Sequence, residues 1–491
     1  MIDEVLERYE AVIGLEVHTH LRTNSKLFSP APVRYGDAPN HDVHPIDLGM
    51  PGVLPVLNER VVDLAIRLGL ATNSTVHTYS IFARKNYFYP DLPKGYQISQ
   101  YEEPVVSDGW LDIDVAGETG ELVRKRIGIT RAHLEEDAGK SIHDTAVAGS
   151  HDSQLDYNRA GVPLLEIVSE PDLRSAAEAG AYLRVLRQML RDLQVSEADM
   201  EKGQFRCDAN VSIRPRGESE FGTRTELKNI NSFRFVEEAI DAEIERQAEL
   251  IDAGGAVQQA TMAYDPGTGR TRVLRLKEDA NDYRYFPDPD LIPLSIAPEQ
   301  IEAVRATLPE LAPARQARFE QEHGLSAGEA QQLVELRSLA DLFESTLAVY
   351  SNARQLANWL LRDVLQTIKE RECDLEETRL TPEALGGLLA MVDAGRVTAR
   401  SARGLIPELV ERGGDPEVLV RERDLEAVSD TGALEGIVDE VIAANAAIAD
   451  KIRGGDEKPL NALMGQVMKK TQGKADPSEV RAILASRLRG A

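Results

Sequence analysis

The stretch Val12–Leu21 reads VIGLEVHTHL, and its alternation decides which groups share a face. In a strand, successive side chains point to opposite sides. Glu16, His18 and His20 therefore stand together, with Ile13, Leu15 and Val17 turned to a core. A carboxylate and an imidazole two positions apart both reach one divalent cation. An edge strand with a solvated face gives the same pattern, so this strand alone leaves both readings open.

The pattern recurs. In Phe205–Arg214, the set Arg206, Asp208, Asn210, Ser212 and Arg214 opposes Phe205, Cys207, Ala209, Val211 and Ile213. Arg224, Glu226 and Lys228 alternate in the next segment, and Arg275 and Lys277 oppose Leu274 and Leu276 farther on. Arginine offers paired donors to phosphate oxygens, and carboxylates hold Mg²⁺ between such oxygens. A sheet with one apolar face and one charged, concave face would be an ATP cradle. A sheet face laced with salt bridges is the alternative.

Two further segments read as loops that carry chemistry. GITRAHLEEDAGK (Gly128–Lys140) gathers His133, Glu135, Glu136 and Asp137 just past a strand. Adjacent carboxylates repel unless a cation compensates them, which makes the cluster a Mg²⁺ candidate; an exposed acidic turn is the other reading. DYNRAGVPLLEIVSE (Asp156–Glu170) places Asp156, Asn158 and Arg159 before a Gly-Val-Pro turn, then sets Glu166 in an apolar run. A glutamate there is costly to bury unpaired and calls for an arginine or a metal. Ala138-Gly139-Lys140-Ser141 imitates the end of a phosphate-binding loop, but Leu134 stands where that motif needs glycine. A dinucleotide-binding GxGxxG, an HExxH helix and a Ser or Cys nucleophile with an obvious partner are all missing from the sequence.

These residues need a scaffold. At 491 residues the chain is too long for one core, and at ~150 residues per domain it suggests about three. Residues 1–294 alternate with period two and are rich in Gly, Pro and aromatic residues, which predicts strands in an α+β domain. Helices are expected near Ser175–Leu193 and Val236–Ile251. From 295 to 412 the character turns helical, with helices expected over Glu299–Leu308, Pro313–Glu322, Ala327–Leu347 and Asn352–Arg371. Past Gly413-Gly414-Asp415-Pro416, residues 413–491 read as a small helical module broken at Gly454-Gly455 and Gly473.

Composition narrows the partners. A net charge of −26 argues against a protein that coats nucleic acid, DNA included, through a general positive field. From Lys451 onward, however, nine basic residues face four acidic ones. That local excess suits a segment touching phosphates, and it also suits a solvated helical surface. No apolar run is long enough to span a bilayer, the N-terminal residues lack the pattern of a secretory signal, and Cys207 and Cys373 are too few for a disulfide framework. The reading is cytoplasmic.

Several long segments resemble one family. FARKNYFYPDLPKGYQISQ (Phe82–Gln100), GITRAHLEEDAGKS (Gly128–Ser141), DYNRAGVPLLEIVSEPD (Asp156–Asp172), FRCDANVSIRP (Phe205–Pro215), TELKNINSF (Thr225–Phe233) and DYRYFPDPDL (Asp282–Leu291) are similar to the B subunit of the bacterial aspartyl/glutamyl-tRNA(Asn/Gln) amidotransferases. The likeness runs from GLEVH (Gly14–His18) to GQVMKKTQGKADP (Gly465–Pro477). It implies a glutamine-synthetase-like β-sheet cradle, an all-α linker domain and a small all-α tail that helps to hold tRNA. It also implies a heterotrimer with an amidase subunit, which frees ammonia from glutamine, and a small third subunit. The ligase reaction implied is ATP-dependent phosphorylation of the side-chain carboxylate of Glu-tRNA(Gln) or Asp-tRNA(Asn), followed by amidation. Matched position by position, the resemblance assigns Glu16, His18, Glu135 and Glu136 to Mg²⁺, with Glu166 and Asp208 as further ligands. Arg159, Arg206 and Lys228 are the phosphate contacts it implies, and Asn158 and Asn210 the orienting groups.

One stretch departs from the family. Where many members carry zinc-binding cysteines, Phe28–Leu48 reads FSPAPVRYGDAPNHDVHPIDL. His41 and His44 without thiolates make a poor zinc set, so no structural zinc is expected. Two other readings stay open: a ligase or guanidino-type kinase with the same cradle and a small-molecule substrate, and a tRNA-binding adaptor whose partner does the phosphorylation. The long helical extension disfavours the first. The carboxylate clusters, useless against anionic RNA without a metal, disfavour the second.

Overall fold

The structure is a computed structural model. It describes residues 2–117, 121–142, 153–230, 232–276, 283–371, 373–427, 431–453, 459–471 and 474–489. Lys277, the breaks at Gly454-Gly455 and Gly473, and Lys458 of the basic tail lie outside the described residues. The chain divides into two compact units, Met1–Leu311 and Ala312–Ala491. Its mixed sheet followed by a helical C-terminal region is an α+β architecture.

Among the described residues, the first unit is built on a nine-stranded sheet. In chain order its strands are β1 (Tyr9–His20), β2 (Thr75–Val76), β3 (Val106–Ala116), β4 (Leu122–Glu136), β5 (Pro163–Ser169), β6 (Phe205–Pro215), β7 (Thr225–Ile230), β8 (Ala260–Asp265) and β9 (Arg270–Leu276). Across the sheet they run β9-β8-β7-β6-β1-β5-β4-β3-β2. Neighbours are antiparallel except β7 and β8, which the helix Phe233–Asp252 connects as a parallel pair. The central strand is therefore the one that carries Glu16 and His18.

Alternation builds the core. Ala11, Ile13, Leu15 and Val17 of β1 and Cys207, Ala209 and Val211 of β6 are almost fully buried, and the even-numbered partners face the other way. Two amphipathic helices cover the apolar face. Ala176–Asp192 starts where the Ser175 side chain accepts from Glu178 N, and it buries Tyr182, Leu183, Leu186 and Leu190. Phe233–Asp252 is capped in the same way by Ser232 and buries Val236, Ile240 and Ile244. Both lie where the periodicity places them.

Two expectations differ in detail. The segment expected as a loop from Gly128 is strand through Glu136. Its glutamates are poor strand formers alone, but pairing with β5 overrides that preference. In the second unit, the helix expected over Ala327–Leu347 is two, Ala327–Val334 and Arg337–Leu347, with Leu336 extended between them. On one straight helix, the buried Leu339, Phe343 and Thr346 would point roughly 80–140° away from buried Leu333. The break resets the phase so that both halves face one core.

The helix Pro298–Arg305 belongs to the first unit, where it packs on Glu59–Ala71. Among the described residues the second unit holds two apolar clusters, one from Phe319 to Val420 and one from Leu434 to Leu488. Among the described residues no helix is long and apolar enough to cross a membrane.

Candidate functional site

Strand register brings the charged groups into rows. His18 on β1 lies opposite Glu166 on β5, and Glu166 lies opposite His133 on β4. His18 Nε2 is 3.2 Å from Glu166 Oε2 and 3.8 Å from Glu135 Oε1. His133 Nε2 is 3.5 Å from Glu166 Oε2 and 3.7 Å from Glu135 Oε2. One ligand atom each from His18, Glu135 and Glu166 falls within a 4.8 Å group, the separation that a shared cation bridges.

A second group stands one step along the sheet. Glu16 lies opposite Asp208 on β6, and Asn210 lies opposite Glu226 on β7. Glu16, Asp208 and Glu226 again offer ligand atoms within 4.8 Å. Lys228 Nζ sits 2.6 Å from Asp208 Oδ2 and 3.4 Å from Glu226 Oε1. Asn210 Nδ2 donates to Glu16 Oε1 at 2.9 Å, while its buried Oδ1 has no hydrogen-bond partner among the described residues.

The electrostatics keep these groups charged. Burial opposes the imidazolium of His18, but its bond to Glu166 and the nearby charges of Glu166, Glu135 and Asp208 prevail, pushing it up to about 9. Burial also opposes ionisation of Glu166, yet His133, His18 and Lys85 hold its carboxyl well below its ordinary value. Glu135 is lowered against burial by His133, Lys85 and His18. Lys85 is raised against burial by Glu135, Tyr285 and Glu166. The cations His18 and Lys85 compensate the two carboxylates, and a divalent cation would take the place of the His18 proton there.

Glu136 is not brought into either group. Neighbours on a strand diverge, and the Glu136 carboxylate pairs with Lys94 and accepts from Ile98 N at 2.9 Å. Asp137 is instead the hub of a third cluster, with Arg206 Nη2 at 2.8 Å, His20 Nε2 at 2.8 Å and Arg159 Nε at 3.4 Å. Burial opposes its ionisation, but Arg206, Arg159 and His20 hold it far below the usual carboxylate range. Arg159 also donates to Ala138 O and Gly139 O, at 3.0 and 2.6 Å. Asn158 ties down a loop: its Oδ1 accepts from Asp42 N and its Nδ2 donates to Ala38 O, each at 2.8 Å.

The face thus unites Glu16, His18, Glu135, Glu166, Asp208, Asn210 and Lys228, with Arg206 and Arg159 in the adjoining cluster. The geometry adds Glu226 and Lys85 as site residues. Glu226 was visible as a polar-face residue beside Lys228. Lys85 sat in the Phe82–Gln100 segment with no periodic signal to single it out. In the tail, Lys470 pairs with Glu440, Lys474 with Asp424, and Arg487 with Glu435 and Asp439.

Comparison with known proteins gives this site a lineage. The model of the GatB/GatE catalytic domain family matches residues 11–302, and that of a GatB domain matches residues 341–488. The chain belongs to the GatB family. An aspartyl/glutamyl-tRNA(Asn/Gln) amidotransferase B subunit from Geobacter sulfurreducens is 51% identical over 482 residues, covering 98% of this chain and 100% of the relative. The protein of that name from Nitratidesulfovibrio vulgaris is 53% identical over 480 residues, covering 98% and 99%. That from Alkalilimnicola ehrlichii is 51% identical over 483 residues, covering 98% and 99%. The catalytic-domain match, residues 11–302, takes in every strand of the large sheet except the first two residues of β1, so the rows of charge lie inside the matched region.

Proposed function

We propose that this chain is the carboxylate-activating subunit of an aspartyl/glutamyl-tRNA(Asn/Gln) amidotransferase. Its substrates are ATP and Glu-tRNA(Gln), Asp-tRNA(Asn) or both. Its partners are an amidase subunit that supplies ammonia from glutamine and a small third subunit. The observation that carries this reading is the pair of three-ligand groups side by side on one sheet face, with Lys228 bonded to Asp208 and Arg206 in the adjoining Asp137 cluster. Relatives of that name match this chain almost end to end.

The chemistry asks for such a face. Ammonia does not displace oxide from a carboxylate, whereas phosphate is a competent leaving group. A side-chain carboxylate oxygen attacks the γ-phosphorus, ADP departs, ammonia attacks the acyl carbon, and phosphate leaves with the former carboxylate oxygen. Catalysis of the first step is mostly alignment and charge neutralisation, because both reactants are anions. The carboxylate oxygens, with the His18 imidazole once it has given up its proton, fit Mg²⁺, which when bound would neutralise phosphate oxygens. Glu16, His18, Glu135, Glu166, Asp208 and Glu226 are the residues to hold it. Lys228, Arg206 and Arg159 turn positive charge to the phosphates, Asn210 orients Glu16, and Asn158 steadies the loop beside Arg159. Glu136 has a supporting part through Lys94.

In this reading residues 1–294 form a glutamine-synthetase-like cradle, 295–412 a helical linker and 413–491 a tail that grips tRNA. The test reconstitutes the chain with both partner subunits and supplies γ-labelled ATP. Phosphate release and amide formation that both require charged tRNA are expected. Phosphate release with free glutamate would favour a small-molecule ligase. Release unaffected by Glu135→Gln would move phosphorylation to one of the partners.

A further inference from the structure

Behind the Asp137 cluster lies a buried pair of charges that the chemistry above does not use. Lys26 Nζ is 3.0 Å from Asp47 Oδ2, and the two residues are 0% and 3% exposed. Such a pair is a poor source of stability, since desolvating both charges offsets most of their attraction. Its geometry points to another job. Lys26 Nζ also donates to Tyr157 O at 3.4 Å, and Leu27 N donates to Gly161 O at 2.9 Å. On the far side Gly161 N donates to Asp137 O at 2.9 Å. Gly161 has a φ of +83°, and a Cβ there would fall 2.8 Å from Asp47 Oδ1. The turn that carries Arg159 is therefore clasped between the ion pair and Asp137.

The rest of the loop is tied to the same turn. Asn40 Oδ1 accepts from Tyr157 N at 2.8 Å, which complements the grip of Asn158 on Ala38 and Asp42. The nearby Asp37, His41 and Asp42 gather around Arg34, whose Nη1 is 3.4 Å from Asp37 Oδ2 and 3.9 Å from Asp42 Oδ1. A guanidinium already supplies the positive charge there, and no thiolate is present to complete a closed zinc site.

We infer that Lys26 and Asp47 are positioning residues: their ion pair fixes the 157–161 turn, and with it Arg159, and cross-links a cysteine-free loop without metal. The inference rests on the proposed role of Arg159 in phosphate contact. Its test uses the reconstituted holoenzyme and three variants: Lys26→Met, Lys26→Met/Asp47→Leu, and Gly161→Ala. Lys26→Met strands a buried carboxylate and lowers Tm. The double variant removes both charges and recovers Tm to within about 2 °C of wild type. Glutamine hydrolysis by the partner stays normal in that variant, yet kcat/KM for ATP stays down about tenfold because the tie to Tyr157 O is gone. Gly161→Ala, which keeps both charges, shows a similar loss and decides the matter alone if the others fail to fold. ATP kinetics that recover with Tm in the double variant, or are untouched by Gly161→Ala, would overturn the positioning role. A wild-type enzyme with no tRNA-dependent ATP step would instead overturn the proposed function. Metal analysis of the purified chain should find less than about 0.1 zinc per chain, and one zinc per chain would sink the metal-free loop.

Discussion

The sheet face and the C-terminal helices handle charge by opposite rules. On the sheet, Glu135 and Glu166 are 3% and 8% exposed and stay ionised because histidines and Lys85 surround them. In the helices, Lys470 and Glu440 pair with side chains 50% and 69% exposed, and Arg487 meets Glu435 with both 44% exposed. A buried carboxylate on a paired strand has one geometry and a large free-energy stake in it. A surface pair contributes little and exchanges its partner readily for a phosphate. The difference teaches which charges are built for chemistry and which for reversible contact.

The largest expected effect contrasts two adjacent residues. Glu135→Gln should cut ATP-dependent amide formation by about 10²–10³-fold while the partner still hydrolyses glutamine. It should also raise the Mg²⁺ concentration needed for half-maximal activity. Glu136→Gln should do the reverse: Tm falls, because breaking the buried pair with Lys94 costs on the order of 3 kcal/mol, while the Mg²⁺ requirement stays put. Magnesium titrations of both variants check this. Equal shifts in the two would erase the distinction between the two sides of the strand.

That distinction marks how far the sequence could be read. Alternation placed Glu16 with His18 and Arg206 with Asp208 on the polar face, because a period of two survives in any strand with one buried side. The same rule separates Glu135 from Glu136, but only once Gly128–Glu136 is known to be strand. Two glutamates side by side argue locally for a loop, and the pairing with β5 that overrules them is tertiary. Lys26 and Asp47 are 21 residues apart in sequence, in a segment without periodicity, and nothing local signals that they meet. Glu226 shares a group with Glu16 only because β7, β6 and β1 lie side by side, an order fixed by the whole sheet.

The next effect tests the helical side. A chain ending after residue 427 keeps Val420 in the first apolar cluster of the second unit and removes the second cluster. KM for tRNA should then rise at least about tenfold with KM for ATP unchanged. A parallel rise in both would make the tail structural only. Smaller still, Lys470→Ala/Lys474→Ala should raise KM for tRNA about two- to threefold at low salt, less at high salt. Tm should move by less than the equivalent of about 1 kcal/mol, since Lys470 and both acidic partners are exposed and only Lys474 is partly covered. A large drop in Tm would mean these pairs hold the tail together.

The smallest effect comes from a carboxylate of the first unit that lacks what Glu135 and Glu166 possess. Asp241 lies on the helix Phe233–Asp252 and is pushed up to about 6, first by burial and then by the like charges of Glu245, Glu237 and Asp3. Burial and like charges set its shift, which is opposite in sign to those of the sheet carboxylates. A folded-state value above the unfolded one means that the folded protein binds the proton more tightly. The stability so gained is full below pH ~4 and is lost as pH rises through about 6. Asp241→Asn should therefore leave Tm unchanged at pH 4 and raise it by on the order of 2 °C at pH 7.5. Thermal melts at the two pH values check this. A gain at pH 4 equal to that at pH 7.5 would mean that the substitution acts through packing, and that charge repulsion on this helix is already relieved.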